Sequence, residues 1–427
     1  MRFYSTGGDS SFVGFKEALF RGLAPDGGLY MPESIPFLGK EFFITNHSYA
    51  ELAVGMIEPF VSDDLTHEQL VEIAESAFDF RIPIVQLNES DFLLELFHGP
   101  TLAFKDFAAR FMAHAMAALL KNDHCLTILV ATSGDTGSAV ANGFLGLNNI
   151  KVVILYPSNR VSAVQEKQLT TIGKNITALE VNGSFDDCQR MVKEAFRDEE
   201  LTNQKTLSSA NSINIGRLLP QSVYFAWAWN KANGPKVFSV PCGNFGNLTG
   251  GLLAKKMGLP IETFIAATNA NDVFPEYLKS GMVINNPAKK TISNAMDVSI
   301  PSNLERIQNL YNNDLVSITT DIKSWAFSDD ETKNTIKKLN NNSNYIADPH
   351  TAVGILGLEK FREESGSIEK GVVLSTAHPG KFSDVVDPII EEKIDLPNSL
   401  KMALKKEKDV IPIRNNYSDL KEFLWES

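Results

Sequence analysis

The chain has 427 residues, of which 43% are hydrophobic and 22% are charged, a composition typical of folded globular proteins and not of disordered or fibrous ones. Its formal net charge of -12 argues against a general nucleic-acid-binding protein, although backbone amides and a few basic side chains still suffice to bind a small anion. The three cysteines form no CxxC pair, which argues against a disulfide framework or a zinc site and predicts a metal-free protein of a reducing compartment.

The N-terminal stretch, residues 1 to about 95, is predicted to mix helices with short extended segments. Its first residues lack the basic and apolar regions of a secretory signal, so a cytoplasmic location is expected. Apolar residues at helical spacing predict helices in SYAELAVGMIEPFV and THEQLVEIAESAF. Thr66 is expected to begin the second helix in a capping box with Gln69. No apolar run approaches 18 residues, so no membrane span is expected.

A helix with one buried face is predicted next, in TLAFKDFAARFMAHAMAALL, with Thr101 as its N-cap. Lys105 then lies in the first turn, beside the apolar stripe. A lysine in such a place is usually a surface residue, because an ammonium group loses free energy when it leaves water. If the amine is buried instead, desolvation lowers its pKa and the neutral form is a nucleophile. The surroundings of Lys105 have to decide between these interpretations.

Short apolar strands alternate with helices from about residue 126, and the pattern resumes after about residue 206. The predicted strands are LTILVAT, KVVILYP, ITALEVNG, KVFSVPCG, TFIAATN and GVVLSTAHPG. Continuous apolar strands separated by helices predict a parallel sheet that is covered on both faces. NIGRLLPQSVYFAWAWNKA is predicted to be helical, and the charged LKKEKDVIPIRNN is predicted to be solvated surface. The polar segment 275–345 receives no role.

Two of these strands end in turns of small and polar residues that lead into helices. VATSGDTGSAVANG contains the first turn and SVPCGNFGNLTGG the second. Glycine permits close approach of the backbone, and N–H groups at a helix N-terminus bind anions. Such turns are often only tight connections, but two of them at strand ends favour two anionic groups, or one anion and one carboxylate. The chain lacks a P-loop and a clean GxGxxG with its acidic partner, which argues against nucleotide and nicotinamide sites.

A reactive lysine, a phosphate cradle and a polar group for a ring nitrogen are together what pyridoxal phosphate requires. The stretch HGPTLAFKDFAARFM resembles the cofactor-lysine motif of threonine synthases, a family within the fold-type II pyridoxal-phosphate enzymes. TSGDTGSA, GNFGN and STAHPGKF follow it in the order that the family shows. The opening YSTGGDSSFVGFKEALFRGLAPDGGLYMPESIP is similar to the N-terminus of the fungal and bacterial branch of that family, so the resemblance spans nearly the whole chain.

The resemblance implies an α/β fold like that of the tryptophan synthase β subunit. Such a fold has two open, mostly parallel sheets with helices on both faces, here with an additional N-terminal mixed α/β segment. The implied domains are an N-terminal domain of residues 1–95, a smaller domain of residues 96–205 with the lysine and the SGDTG turn, and a larger domain of residues 206–427. The larger domain is expected to contain the GNFGN turn and Thr376.

The resemblance also implies roles for individual residues. Lys105 is expected to hold the cofactor as a Schiff-base lysine and then to move protons. Further cofactor contacts are expected from Gly243, Asn244, Phe245, Gly246 and Asn247 around the phosphate, from Thr376 at the pyridine nitrogen and from Asp135 near the phenolic oxygen. Substrate contacts are expected from Ser133, Thr136, Ser138, Asn211, Ser212, Asn214, Arg217 and Lys381. Many relatives have asparagine where Asp135 stands, and a carboxylate repels a phenolate unless one of the two is protonated.

Structural alternatives stay open for several of these residues. Asn211 or Ser212 is also suited to cap a helix beside an exposed Arg217. Lys381 is also consistent with a solvated lysine. His378 is interpreted as a structural histidine.

The activity that the resemblance implies is the conversion of O-phospho-L-homoserine and water to L-threonine and phosphate, by a carbon–oxygen lyase acting on phosphates. The expected partner is this small substrate, with no nucleic acid or membrane, and the chain is expected to be a monomer or a homodimer. One alternative is a related lyase of the same fold, such as a serine or threonine dehydratase or a synthase-like phospho-lyase. Another is a non-catalytic relative that keeps the cofactor. The HGPTLAFKDF motif and the N-terminal stretch favour the synthase.

Overall fold

The computed structural model describes residues 1–121 and 124–426 of the chain. Its N-terminal part consists of β1 (Phe3–Ser5), α1 (Phe15–Arg21), β2 (Tyr30–Pro32), α2 (Lys40–Ile44), α3 (Tyr49–Val61) and α4 (His67–Ala77). β1 and β2 form a small antiparallel sheet. α3 and α4 both begin with capping boxes, and the one predicted between Thr66 and Gln69 is confirmed.

Two strands and a long helix follow: β3 (Ile84–Gln86), β4 (Asp91–Glu95) and α5 (Lys105–Leu119). β3 and β4 are antiparallel neighbours. The helix predicted around Lys105 is confirmed, but its predicted N-cap, Thr101, is wrong. Leu102 has a positive φ of 60°, which no α-helix accommodates, so the helix begins only after this turn. The hydroxyl of Thr101 instead donates to the carboxylate of Asp106 at 2.6 Å.

The alternation predicted from residue 126 is confirmed. Its elements are β5 (Leu126–Ala131), α6 (Asp135–Gly143), β6 (Ile150–Pro157), α7 (Ala163–Thr170), β7 (Ile176–Asn182), α8 (Phe185–Arg197), α9 (Glu199–Gln204) and β8 (Thr206–Ser209). Successive residues of β5 point to opposite faces of the sheet. Ile128 and Val130 belong to the large core shared with α5, whereas Leu129 and Ala131 pack in a second core beneath α8. Both faces are therefore buried, which accounts for the continuous apolar strands.

The chain then forms a second sheet with its covering helices. These elements are α10 (Ile215–Leu218), α11 (Val223–Lys231), β9 (Val237–Pro241), α12 (Gly246–Lys256), β10 (Thr263–Thr268), α13 (Val273–Ser280), α14 (Leu304–Leu310), α15 (Leu315–Asp321), β11 (Ile322–Ala326), α16 (Asp329–Ser343), α17 (Pro349–Ser365) and β12 (Gly371–Ser375). Short 3-10 helices occur at Leu219–Ser222, Asn294–Met296 and Pro379–Phe382. The helical stretch predicted from Asn214 onward is divided near Pro220, which has no N–H to continue an α-helix.

The C-terminal part returns to the first sheet. It consists of α18 (Ser383–Ile390), α19 (Asn398–Lys405), β13 (Ile411–Arg414) and α20 (Tyr417–Glu426). β13 pairs in parallel with β7, and Leu420 and Leu424 of α20 pack into the core beneath α8. The stretch predicted to be only solvated surface therefore contains an edge strand, although its side chains are mostly exposed.

One sheet has the strand order β13-β7-β6-β5-β8 and is parallel throughout, while the other has the order β11-β10-β9-β12-β4-β3 with only β3 antiparallel. The predicted fold class is confirmed. The sheets cross the predicted domain limits, since β3 and β4 precede residue 96 but lie in the six-stranded sheet. β8 and β13 follow residue 205 but lie in the five-stranded sheet. Within the described residues, no helix is long and apolar enough to cross a membrane.

Candidate active site

A cavity of about 550 Å³ lies between the carboxyl ends of strands from both sheets. Its wall includes Ala131 and Ser209, which end β5 and β8, Pro241, which ends β9, and Thr376, which follows β12. Ligands of open α/β sheets bind at such strand ends. The first residues of α5, α6 and α12 also reach the wall, so three helix N-termini, each with a positive end of its dipole, lie around one cavity.

Lys105 is the first residue of α5, and part of its surface faces the cavity while protein atoms enclose the remainder. Burial lowers the pKa of its amine from 10.5 to about 8. Asp135 acts to raise this pKa, and Arg217 and Lys381 act to lower it. The amine is therefore neutral far more often than that of an exposed lysine, as a nucleophile requires. Of the two interpretations left open for Lys105, the buried amine is the correct one.

The SGDTG turn joins β5 to α6. It places three of the predicted residues on the cavity wall, namely Ser133, Asp135 and Thr136. Gly134 has a φ of 144°, and a side chain there would come within 2.6 Å of Gln165, so the turn requires glycine. The hydroxyl of Thr132 accepts hydrogen bonds from the N–H groups of Gly134 and Gly137 and fixes the turn. Ser138 lies behind the wall, where its hydroxyl donates to the carbonyl of residue 135 at 3.1 Å.

Asp135 forms a buried ion pair with Lys381, with 2.8 Å between carboxylate and ammonium groups. The amide of Gln165 donates to the same carboxylate oxygen at 2.8 Å. Burial acts to raise the pKa of Asp135, but the ammonium groups of Lys381 and Lys105 outweigh it and hold the pKa well below its ordinary value. Lys381 is fully buried and also donates to the carbonyl of Thr101 at 2.8 Å. It is therefore not a solvated lysine, and the structure places it behind the wall, with Asp135 and not the cavity as its neighbour.

The GNFGN turn joins β9 to α12, and all five of its residues line the cavity. Phe245 has a left-handed conformation with a φ of 61°. The N–H groups of Gly246 and Asn247, in the first turn of α12, have no acceptor among the described residues and are available to a ligand. Gly243 lies so close to the next wall segment that a Cβ atom would be 2.9 Å from the carbonyl oxygen of Ala295. This turn has the form of an anion cradle.

Arg306 fixes the GNFGN turn from behind. Its fully buried guanidinium donates to the side chain of Asn303 at 2.8 Å, and Asn303 donates to the carbonyl of Asn244 at 2.9 Å. Further hydrogen bonds go to the carbonyls of Ile213 at 2.7 Å and of Tyr30 at 3.1 Å. Burial lowers the pKa of Arg306 to about 9. One side chain thus joins the N-terminal part, the loop before α10 and the cradle.

Thr376 lies directly after β12 and is a buried residue of the cavity wall. Its carbonyl accepts the N–H of Phe104 at 2.9 Å, and Ala103 and Ala377 form an isolated antiparallel bridge. The end of β12 and the start of the lysine helix are therefore held side by side.

Arg217, on α10, lies on the wall with only 2% of its surface exposed, so the interpretation as an exposed arginine is wrong. Its Nη1 donates to the carbonyl of Ala210 at 2.6 Å, while its Nε has no partner among the described residues. Burial lowers its pKa to about 10, which leaves the group charged at neutral pH. A buried guanidinium with a spare donor at a cavity wall is suited to a carboxylate or a phosphate.

The loop before α10 contributes two further predicted residues, Asn211 and Ser212, to the wall. Asn211 donates to the carbonyl of Ala131 at 3.0 Å and so ties this loop to the end of β5. Asn214 is different. Its fully buried amide donates to the carbonyls of Leu19 and Ser209, and its oxygen accepts the N–H of residue 216, so it supports the loop without reaching the wall.

Some wall residues had no place in the sequence interpretation. Residues 295–300, within the polar segment 275–345, line the cavity beside His350. The Nδ1 of His350 is 2.6 Å from Asp348, and its Nε2 accepts the N–H of Ala295, which assigns the ring proton to Nδ1. One local signal was present, because Asp348 followed by Pro349 is typical of a helix start and places His350 in a first turn.

The donor set of the cavity fits pyridoxal phosphate. It offers an amine of lowered pKa at Lys105, free N–H groups in the cradle and the residue Thr376 close to the lysine helix. It also offers Arg217 for a second anion. The described residues contain no group of three or more histidine, cysteine, aspartate or glutamate side chains that could hold a metal ion.

Comparison with known proteins agrees with this geometry. A family model described as "Pyridoxal-phosphate dependent enzyme" matches residues 80–377. Models described as "Threonine synthase N terminus" and "Threonine synthase, C-terminal" match residues 2–78 and 351–424. The chain is 42% identical to threonine synthase of Escherichia coli over 94% of both chains.

Solved structures give the same result. The crystal structure of threonine synthase from Escherichia coli has a TM-score of 0.93 at 38% identity and covers 100% of both chains. The PLP-bound threonine synthase from Brucella melitensis has a TM-score of 0.92 at 35% identity, covering 100% of this chain and 99% of that one. The resemblance inferred from the sequence motifs is thereby confirmed. This chain belongs to the threonine synthase family of pyridoxal-phosphate-dependent enzymes.

Proposed function

We propose that this chain, a pyridoxal-phosphate-dependent lyase by family, converts O-phospho-L-homoserine and water to L-threonine and phosphate. The observation that carries the proposal is the presence of two separate sets of anion donors around one lysine. The first set is the GNFGN cradle with its free N–H groups. The second set is the SGDTG turn together with Arg217. A phosphorylated cofactor and a phosphorylated amino-acid substrate require two such sets.

We assign the cofactor to the first set. Lys105 is assigned to the aldehyde group of the cofactor, the GNFGN turn to its phosphate and Thr376 to its ring nitrogen. When bound, pyridoxal phosphate supplies a carbonyl carbon that bonds an amino group and a ring that accepts the electrons left at a deprotonated carbon. A hydroxyl partner such as Thr376 leaves the ring nitrogen less protonated than an aspartate does, which moderates that electron demand.

We assign the substrate to the second set. Ser133 and Thr136 offer hydroxyls and N–H groups at the N-terminus of α6, and Arg217 offers its guanidinium group on the cavity wall to a carboxylate or phosphate. Asn211 and Ser212 complete this side of the wall. Lys105, once its amine is free, is the base for the proton at Cα, since its pKa near 8 lets it accept and return protons at neutral pH. Ser138, Asn214 and Lys381 support this wall from behind.

The net reaction breaks the Cγ–O bond to phosphate and one C–H bond at Cβ. It forms a C–O bond from water to Cβ and a C–H bond at Cγ, so phosphate leaves and Cγ becomes a methyl group. This reaction makes the enzyme a carbon–oxygen lyase acting on phosphates. The reaction requires that water reach the site only at the step in which it adds to Cβ, because water admitted at another step would divert the reaction.

The test is turnover of O-phospho-L-homoserine by cofactor-loaded protein, with phosphate and the amino-acid product both measured. Equal amounts of phosphate and threonine are expected, and Lys105→Ala is expected to abolish turnover while the chain stays folded. Lys337→Ala, at an exposed lysine of α16, is the matched control and keeps wild-type turnover. Phosphate with a 2-oxo acid would show a phospho-lyase instead. Turnover of serine or threonine without release of phosphate would show a dehydratase, and either result contradicts the proposal.

A further inference from the structure

The buried ammonium group of Lys381 joins two elements at the back of the cavity. It is 2.8 Å from the carboxylate of Asp135 and 2.8 Å from the carbonyl of Thr101. Thr101 in turn donates to both oxygens of Asp106, from its N–H at 2.9 Å and its hydroxyl at 2.6 Å. Asp106 follows Lys105 in the chain, and the charge of Asp135 acts on the amine of Lys105. Both carboxylates near the lysine are therefore engaged with other partners.

The engagement of Asp135 matters because its carboxylate is buried and ionised. A buried carboxylate is strongly unfavourable without a cation, so it pairs with whichever cation it can reach. Without Lys381 the side-chain hydrogen bond left to this carboxylate among the described residues is the neutral one from Gln165, and Lys105 is the other lysine whose charge acts on Asp135. An ion pair between Lys105 and Asp135 would keep the amine protonated, and an ammonium group has no lone pair.

We propose that Lys381 is a positioning residue that holds the carboxylate of Asp135 and so prevents Asp135 from forming an ion pair with Lys105, whose amine remains a neutral nucleophile. The inference rests on the role of Lys105 proposed above but not on the identity of the substrate. It also accounts for the aspartate of the SGDTG turn. The ion pair of Asp135 and Lys381 adds no net charge to the site, just as a neutral side chain at position 135 would add none.

The charges acting on Lys105 make the sign of each substitution clear. Asp135 on α6 raises the pKa of Lys105, whereas burial, Arg217 on α10 and Lys381 lower it. Removing Lys381 takes away one charge that lowers the pKa of Lys105. It also releases the carboxylate of Asp135, which raises that pKa, from its ion pair, so the pKa of Lys105 rises. Removing Asp135 has the opposite effect, and removing both largely cancels. The other titratable groups of the wall are Asp186, Lys193, Asp297, Glu305 and His350, and all the variants keep them.

The test follows uptake of pyridoxal 5′-phosphate by the full-length chain after its cofactor has been removed. The neutral amine adds to the aldehyde carbon, a C=N bond forms and one water molecule leaves, so the rate reports the neutral fraction of Lys105. Uptake is measured by absorbance from about pH 6 to about pH 10, a range that brackets the lowered and the ordinary pKa of a lysine. The variants are Lys381→Met, Asp135→Asn, the double substitution, and Lys393→Met as an exposed-lysine control. The ionisations of the cofactor itself are common to all of them.

Lys381→Met is expected to move the midpoint of the rate profile upward by at least about one pH unit, which is about a tenfold slower uptake at a fixed pH below the midpoint. Asp135→Asn is expected to move it downward, since asparagine keeps the hydrogen bond from Gln165 but not the charge. The double variant is expected to return close to the wild-type midpoint, and Lys393→Met is expected to leave it unchanged. A merely structural role for Lys381 predicts no such opposite shifts and no recovery in the double variant.

A Lys381→Met midpoint at or below the wild-type value would overturn the inference, and so would a double variant no closer to wild type than Lys381→Met. If Lys381→Met does not fold, the nearly isosteric Asp135→Asn variant provides the test. A rate-profile midpoint for this variant that does not fall below the wild-type midpoint overturns the inference. Covalent uptake by Lys105→Ala, detected after borohydride reduction, would remove the role of Lys105 and this inference with it. Failure to turn over O-phospho-L-homoserine would contradict only the substrate assignment.

Discussion

Lys105 meets two requirements that oppose each other. Its amine has to be neutral to react, and burial favours the neutral form, but burial also destabilises the fold as long as the amine is charged. Its pKa is about 8 in the folded chain against 10.5 ordinarily. Below the lower pKa, Lys105 is protonated in both the folded and the unfolded chain, so the folded state has the full free-energy cost of the buried charge. Between the two values the folded chain loses its proton first, so stability rises with pH until the cost has gone.

Lys105→Met is therefore expected to raise the free energy of unfolding of the cofactor-free chain by about 3–4 kcal/mol near neutral pH, at about 1.4 kcal/mol for each pH unit between the two pKa values. The gain is expected to vanish above about pH 10.5, where both states of Lys105 are neutral. Urea denaturation at a series of pH values measures the difference, with Lys337→Met as the exposed control. A gain that is independent of pH would assign the effect to packing and not to the buried charge.

Individual residues were predictable where the information is local. The spacing of apolar residues around Lys105 and the small residues of the two turns are visible in short stretches of sequence. The partner of Asp135 was not predictable, since Lys381 follows a strand of the other sheet and only the fold brings the two together. The sequence pattern predicts a helix cap at Thr101, since no sequence signal indicates the positive φ of Leu102.

At the scale of elements, the GNFGN turn and the wall segment beside it have to fit closely. A methyl group on Gly243 would meet backbone atoms of Ala295 and Met296, at 2.9 and 3.0 Å. Gly243→Ala is expected to push the two segments apart, to weaken binding of pyridoxal phosphate at least about tenfold and to destabilise the fold by about 1–3 kcal/mol. Equilibrium dialysis or fluorescence titration with the cofactor measures the first effect.

Gly366→Ala is the control that distinguishes a loss of cofactor affinity from a loss of folding stability. Gly366 ends α17 with a φ of 67°, and a Cβ atom there meets nothing within 4 Å, so alanine is expected to cost about 1 kcal/mol through the backbone alone. Its cofactor affinity should match that of the wild type. If Gly243→Ala also bound the cofactor with wild-type affinity, the turn would not depend on this fit.

Elements were predictable according to their burial. β5, β6, β9 and β12 are buried almost throughout and read as apolar runs. β11 and β13 are largely exposed or half-buried, and no apolar run marks them. The helices of the polar segment 275–345 were missed for the same reason, because their polar residues hid the few buried positions.

At the scale of the whole molecule, Arg306 connects parts of the chain that are distant in sequence. Arg306→Met leaves the carbonyls of Tyr30 and Ile213 and the side chain of Asn303 without their donor. Since unsatisfied buried acceptors are unfavourable, the expected loss is about 2–4 kcal/mol of unfolding free energy, together with weaker cofactor binding. Urea denaturation with and without cofactor measures both effects.

Arg414→Met is the control for this prediction. Arg414 has the same side chain in an exposed ion pair with Asp419, and such exposed pairs contribute little to stability. Equal losses for Arg306→Met and Arg414→Met would show that the buried hydrogen bonds contribute no more than a surface contact.

The class of fold followed from the alternation of strands and helices, but the membership of each sheet did not. Parallel neighbours need no closeness in sequence, so the positions of β3, β4, β8 and β13 were beyond local patterns. The division into domains of residues 1–95, 96–205 and 206–427 remains a prediction. The expected cytoplasmic location and the monomer or homodimer also remain predictions.

The return of β13 to β7 has a consequence for how the protein is made. A ribosome releases the chain from its N-terminus onward, so β5 to β8 emerge long before residues 411–414. Until those last residues arrive, the edge of β7 presents unpaired backbone groups and the hydrophobic surface beneath α8 lacks α20. If the sheet forms before β13 is synthesised, it contains four of its five strands and has an open edge at β7. A nascent chain that stalls before its C-terminus is the species that we expect chaperones to protect from aggregation.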